Sequence, residues 1–168
     1  MNSKAQLFLF CGKMGAGKST YSQVIAKQKQ AVLLSEDAWL AAHYPHQITT
    51  FNDYIHYSNL IKPFVKQHVQ QLLSLGLSVV MDFPANTVKQ RAWLVSLANE
   101  VQCEHTLFYL QVSDEVCLFR IAKRRLAQPK RAHFDTPEVF HQVTQYFEPP
   151  KASEQLAVED VAESSTAI

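Results

Sequence analysis

Gly12-Lys13-Met14-Gly15-Ala16-Gly17-Lys18-Ser19, followed by Thr20, reads G-x-x-x-x-G-K-S, the spacing of a phosphate-binding loop. Its flanks agree with that reading. Leu7 to Cys11 (Leu-Phe-Leu-Phe-Cys) is a short apolar run suited to a buried central strand. Ser19 to Gln28 reads as a helix with Val24, Ile25 and Ala26 on its apolar side. Strand, glycine-rich turn and helix in that order predict an α/β fold. Three of the four glycines in the chain lie in this one turn, so the glycines answer a local demand of the backbone.

That demand is the ligand. A triphosphate carries several negative charges, and a helix N-terminus offers unpaired N–H groups and the positive end of its dipole. Glycines let the backbone wrap the phosphates with no Cβ in the way. Gly12 through Thr20 are therefore the expected nucleotide-binding residues. Lys18 is expected to set its ammonium against the β- and γ-phosphates, and Ser19 to ligate Mg²⁺. A turn capped by chance is the competing reading, and both flanks argue against it.

Composition bounds the rest. The chain has 168 residues, 47% of them hydrophobic and 18% charged, which suits one globular domain over residues 1–162 with a small, polar, frayed tail from Glu163. A net charge of +1 offers no general basic field to a nucleic acid. Cys11, Cys103 and Cys117 are odd in number and sit in apolar runs, as buried free thiols would. The apolar run before the loop is too short for a signal peptide or a span, so a cytoplasmic location is expected.

Further along, Ala31 to Leu34 is strand-like and a helix is predicted from near Asp37 to Tyr44. Leu60, Ile61, Phe64, Val65, Val69, Leu72 and Leu73 mark a long helix from Asp53 that Gly76 stops. Leu77 to Met81 is a second clear strand, ending in Asp82. Asn86 or Thr87 caps a helix reaching Asn99, and Thr106 to Val112 is a strand. Ser113 caps a helix to Gln128, Thr136-Pro137 opens one reaching Phe147, and Leu156 to Val161 is a poorer strand. Alternating strands and helices imply a parallel, doubly wound sheet with its ligands at the carboxyl ends of the strands. Gly12, Asp37, Asp82 and Ser113 all fall on that edge.

Asp82 follows an apolar strand, where a carboxylate holds Mg²⁺ or, less specifically, caps the turn before Pro84. Asp37 is placed to accept a proton from an attacking hydroxyl, or else to cap its own helix, a role Ser35 can share. Glu36 adjoins it and should point elsewhere. The basic run from Arg120 to Arg131 is either a solvated face or a clamp on phosphoryl charge; Arg120 and Arg124, four apart, share a helical face. Trp39, Tyr44, Phe51, Tyr54 and Tyr57 crowd one segment as core or as pocket wall.

Four stretches in order carry a family resemblance. They are Gly12 to Thr20, Leu-Ser-Glu-Asp ending at Asp37, Val-Val-Met-Asp-Phe-Pro-Ala-Asn from Val79, and Cys-Leu-Phe-Arg-Ile-Ala-Lys-Arg-Arg from Cys117. Over residues 5–148 the chain resembles the zeta-toxin and polynucleotide-kinase-like group of P-loop kinases, which includes gluconate kinase and chloramphenicol phosphotransferase. The resemblance implies a five-stranded parallel core with helices on both faces and an arginine-bearing helical lid at about residues 120–136. It also implies Asp37 as catalytic base and Arg120 and Arg124 as lid arginines, beside Lys18. It departs at Trp39 and Leu40, where polynucleotide kinases carry an arginine that grips a substrate phosphate. The expected activity is transfer of a γ-phosphoryl group from ATP, with Mg²⁺, to a hydroxyl of a small-molecule or nucleotide-like acceptor. A nucleic-acid acceptor is not favoured. The alternative is a nucleotide-binding switch with weak ATPase activity and no such acceptor.

Overall fold

The computed structural model describes residues 4–166. Strands β1 (Gln6–Cys11), β2 (Val32–Ser35), β3 (Val79–Asp82), β4 (Glu104–Gln111) and β5 (Val158–Ala162) form one sheet in the order β2-β3-β1-β4-β5. Every pairing is parallel, as the helical crossovers require. The α-helices are α1 (Lys18–Lys29), α2 (Glu36–His43), α3 (Phe51–Ser74), α4 (Val88–Asn99), α5 (Asp114–Ala127) and α6 (Pro137–Thr144).

The two-residue period of β1 sorts its side chains onto two faces, and each face builds its own core. Leu7, Leu9 and Cys11 join Val65, Val69 and Leu73 of α3 and Leu94, Leu97 and Ala98 of α4. Phe8 and Phe10 join Ile25 of α1, Cys117 and Ile121 of α5 and Phe140 of α6. Both faces are covered, so the central strand reads as a continuous apolar run rather than an alternating one. Cys11 and Cys117 are buried, Cys103 is half-buried, and all three are free thiols.

Several boundaries differ from the sequence-based expectation. Ser35 accepts from Ala38 N at 3.4 Å and starts α2 at Glu36, so Ser35 rather than Asp37 is the cap. Helix α6 stops at Thr144, short of Phe147. Helix α5, by contrast, ends at Ala127 with Gln128 as its C-cap, as expected, and carries both Arg120 and Arg124. Residues 128–136 alone connect α5 to α6, through a short 3-10 turn at Pro129–Arg131. The polar segment Glu163–Thr166 was expected to fray. It forms a 3-10 turn instead, because Arg120 Nη2 donates to Thr166 Oγ1 at 3.0 Å and Thr166 is buried. The last two residues of the predicted tail lie outside the described residues.

One core element had no sequence signal. Arg91 of α4 is wholly buried, with a two-pronged bond to Glu154 (Nε 2.8 Å, Nη2 2.9 Å) and further donation to the Ala85 and Glu148 carbonyls. It pins the 147–157 connection under the carboxyl edge of the sheet.

Candidate active site

Five of the six α-helices begin with a Ser or Thr whose side chain accepts a backbone N–H of the first turn. Helix α1 does not: Gly17 precedes it with no side-chain cap, and its first turn holds no acidic residue. Gly15 (φ +80°) and Gly17 (φ +94°) take left-handed conformations that other residues resist, and a Cβ on Gly15 would meet the Cys117 carbonyl oxygen at 2.6 Å. The loop therefore presents the amides of an uncapped helix, which suits a phosphate group. Asn86 Oδ1 accepts from Gly12 N at 3.0 Å, and Lys13 Nζ pairs with Asp114 at 2.5 Å, fixing the loop to the β3–α4 connection and to α5.

Lys18 donates to the Gly12 carbonyl and, at 2.9 Å, to the Lys13 carbonyl. Burial pushes its pKa down, Asp82 pulls it back up, and the Arg124 guanidinium adds to the depression. Asp82 ends β3 beside the loop. Burial raises its pKa, the adjacent Ser19 hydroxyl holds it down, and the Asp37 carboxylate raises it further. No backbone N–H among the described residues donates to Asp82, so it is not occupied as a turn cap. Ser19 and Asp82 form an oxygen pair beside the loop. Mg²⁺ takes one or two protein oxygens plus phosphates and waters, so the pair fits that ion. Among the described residues no cluster of three His, Cys, Asp or Glu offers an all-protein cage.

Asp37, on the first turn of α2, is 63% exposed and lies 3.7 Å from Arg131 Nη1. Its neighbour Glu36 points the other way, into the protein, and accepts from Tyr54 and Ser58 of α3. Burial raises the Glu36 pKa, and the two hydroxyls oppose the rise. This network was not foreseen; the only sequence signal is that Tyr54 and Ser58 are four apart on one helical face. Tyr54 faces the carboxylates, its pKa raised by burial and by Glu36, Asp37 and Asp82. Trp39 packs on Phe64, and Tyr44 on Tyr57, closing α2 onto α3.

The two arginines sharing a face of α5 have different partners. Arg120 donates to the Ala16 carbonyl at 3.1 Å and to Thr166, so it lies against the loop. Arg124 binds Asp135 through Nε (2.8 Å) and Nη2 (2.5 Å), and Asp135 is wholly buried. Asp135 also lies 3.5 Å from Arg131 Nε. The basic run thus divides: Arg120, Arg124 and Arg131 turn inward, while Lys123, Arg125 and Lys130 are exposed. A surface groove of about 740 Å³ along α3, lined by Pro63, Gln67, Gln71 and Leu75, shares no residue with this edge. A smaller one of about 260 Å³ adjoins the loop between Lys13, Tyr109, Gln111 and Phe147.

A family model described as AAA domain matches residues 7–150. A search of curated proteins finds no significant match. Among solved structures, a sugar kinase from Janibacter superposes with a TM-score of 0.64 at 14% identity, covering 96% of this chain and 87% of its own. The APS kinase of Mycobacterium tuberculosis, in complex with AMPPNP and APS, gives 0.62 at 13% identity over 95% and 88%. A gluconokinase from Sinorhizobium meliloti gives 0.60 at 16% identity over 97% and 84%. At these identities the likeness is one of fold.

Proposed function

This chain belongs to the AAA domain family, and we propose that it is a kinase that moves the γ-phosphoryl group of ATP onto a hydroxyl of a small-molecule or nucleotide-like acceptor. The observation that carries this reading is that an exposed carboxylate, Asp37, stands on the same sheet edge as Lys18 and the uncapped glycine loop. A loop that only held nucleotide would have no use for it.

The loop amides and Lys18 bind and orient the triphosphate. Ser19 and Asp82 would hold Mg²⁺, which when bound neutralises phosphate charge. The acceptor oxygen forms its bond to the γ-phosphorus as the bond to the β,γ-bridging oxygen breaks. ADP leaves with that electron pair, and the hydroxyl proton passes to Asp37. Arg124, whose charge reaches Lys18, and Arg120, against the loop, stabilise charge on the transferring group. Residues from about 120 to 136 would act as the lid. Within the P-loop kinases, the four ordered stretches favour the zeta-toxin and polynucleotide-kinase-like group.

The test is incubation of the full chain with γ-labelled ATP, Mg²⁺ and a fractionated metabolite pool. A newly labelled small molecule is expected. Slow release of labelled phosphate alone, with no acceptor labelled, would establish the nucleotide switch instead. Oligonucleotides with free 5′-hydroxyls, offered in parallel across a salt series, should remain unlabelled. A polynucleotide acceptor would be labelled, with binding falling steeply as salt rises.

A further inference from the structure

We propose that the acceptor carries an anionic oxygen group (phosphate, sulfate or carboxylate) and that Arg131 binds it; this rests on the kinase reading above. Arg131 ends the 3-10 turn between α5 and α6, and its guanidinium stands between two carboxylates. Asp135 lies behind it, 3.5 Å from Nε, and Asp37 in front, 3.7 Å from Nη1. Both separations exceed good hydrogen-bond lengths. Arg131 Nε is buried and makes no hydrogen bond. Asp135 has its two oxygens committed to Arg124 at 2.8 and 2.5 Å, so it anchors the buried Nε side of Arg131 by charge and leaves the terminal Nη donors of the half-exposed side to an incoming group.

A guanidinium with donors in hand, held by charge alone, is built to take an oxyanion in its fork. Its surroundings show which one. A hydroxyl approaching Asp37 meets Asp82 as well, with Glu36 buried behind. Helix α2 (Glu-Asp-Ala-Trp-Leu-Ala-Ala-His) contributes no Lys or Arg. Lys18 and Arg124 belong to the triphosphate side. Lys62, the other cation felt by Glu36, lies with its ammonium 5.4 Å from the Trp93 ring. Among the described residues, Arg131 is therefore the cation placed at Asp37. A neutral acceptor has nothing to exchange for Asp37 and would leave the guanidinium beside it. An anionic acceptor draws it off Asp37 as the hydroxyl arrives.

The labelling experiment decides the point once the metabolite pool is split on an anion exchanger. Acceptor activity is expected in the retained fraction. Activity in the flow-through overturns the anionic acceptor while leaving the kinase intact, and labelling in neither fraction overturns both. With the acceptor in hand, Arg131→Gln should raise its KM about 10–100-fold, the loss of a charge-assisted pair, with a smaller change in kcat. Arg131→Lys should fall between, keeping the charge without the fork. Affinity for a non-hydrolysable ATP analogue, read by calorimetry, should change less than twofold. A fall in that affinity equal to the rise in acceptor KM would place Arg131 on the triphosphate and overturn the assignment.

Discussion

Lys18 is anchored to two carbonyls of its own loop, and in the proposed kinase its removal would take away a phosphate contact. Lys18→Ala should weaken binding of an ATP analogue about 10–100-fold, the worth of a charge-assisted contact of about 1.5–3 kcal/mol, with an unchanged fold by circular dichroism. Unchanged affinity by calorimetry would show that the loop does not cradle phosphate. Asp37 separates base from cap. Because Ser35 already caps α2, Asp37→Asn should leave stability and analogue binding nearly intact while lowering turnover on the acceptor by about 10²–10⁴-fold. A variant that melts early yet turns over normally would make Asp37 a structural residue.

Helix α2 is tied to α3 through a carboxyl group that burial keeps above the usual carboxylate range. The folded protein thus holds the Glu36 proton more tightly than the unfolded chain does. Its contribution to stability is complete below the ordinary carboxylate pKa and is lost as pH rises through the raised value. Glu36→Gln has no such proton to lose, so its unfolding free energy relative to wild type should climb as pH rises above the ordinary carboxylate pKa of about 4.3. Urea titrations at several pH values check this, and a flat difference would refute it. Helix α5 gives a second contrast. Arg124→Ala strands the buried carboxylate of Asp135 and should cost about 1–3 kcal/mol, an unsatisfied charged group discounted for the partial exposure of Arg124. Lys123→Ala and Arg125→Ala, on the exposed side, should stay within about 0.5 kcal/mol. Equal effects from all three would restore the solvated-face reading.

The molecule is one sheet with a core on each face, and the loop after β1, Asp82 of β3, Asp37 of α2 and Arg124 of α5 come from different elements around it. A ligand that binds only the assembled edge must stabilise the whole. At about 100 times its Kd, an ATP analogue with Mg²⁺ should add about 2.7 kcal/mol, a rise in Tm of roughly 5–10 °C for a chain of this size. Lys18→Ala should abolish most of the rise at the same concentration. A wild-type Tm indifferent to nucleotide would contradict the assignment of this edge as the nucleotide site.

The glycine loop and the alternation of strands and helices were legible along the chain because their signals are local. Loop spacing, apolar periodicity and caps act over a few residues, and they set Gly12, Asp37 and Asp82 at or just past the carboxyl ends of β1, β2 and β3. The partnerships were not legible. Glu36 meets Tyr54 and Ser58, Arg91 meets Glu154, and Arg120 meets Thr166 across 18 to 63 residues of chain, where no spacing rule reaches. The basic run from Arg120 to Arg131 is the sharpest case. Composition described it as one feature, whereas packing turned three arginines inward, Arg120 onto the loop and Thr166, and Arg124 and Arg131 onto Asp135, and left the others in solvent. Which way a charged side chain turns depends on the acceptor the fold brings to it, a carboxylate for Arg124 and Arg131 and a carbonyl and a hydroxyl for Arg120, and that is a property of the assembled sheet edge.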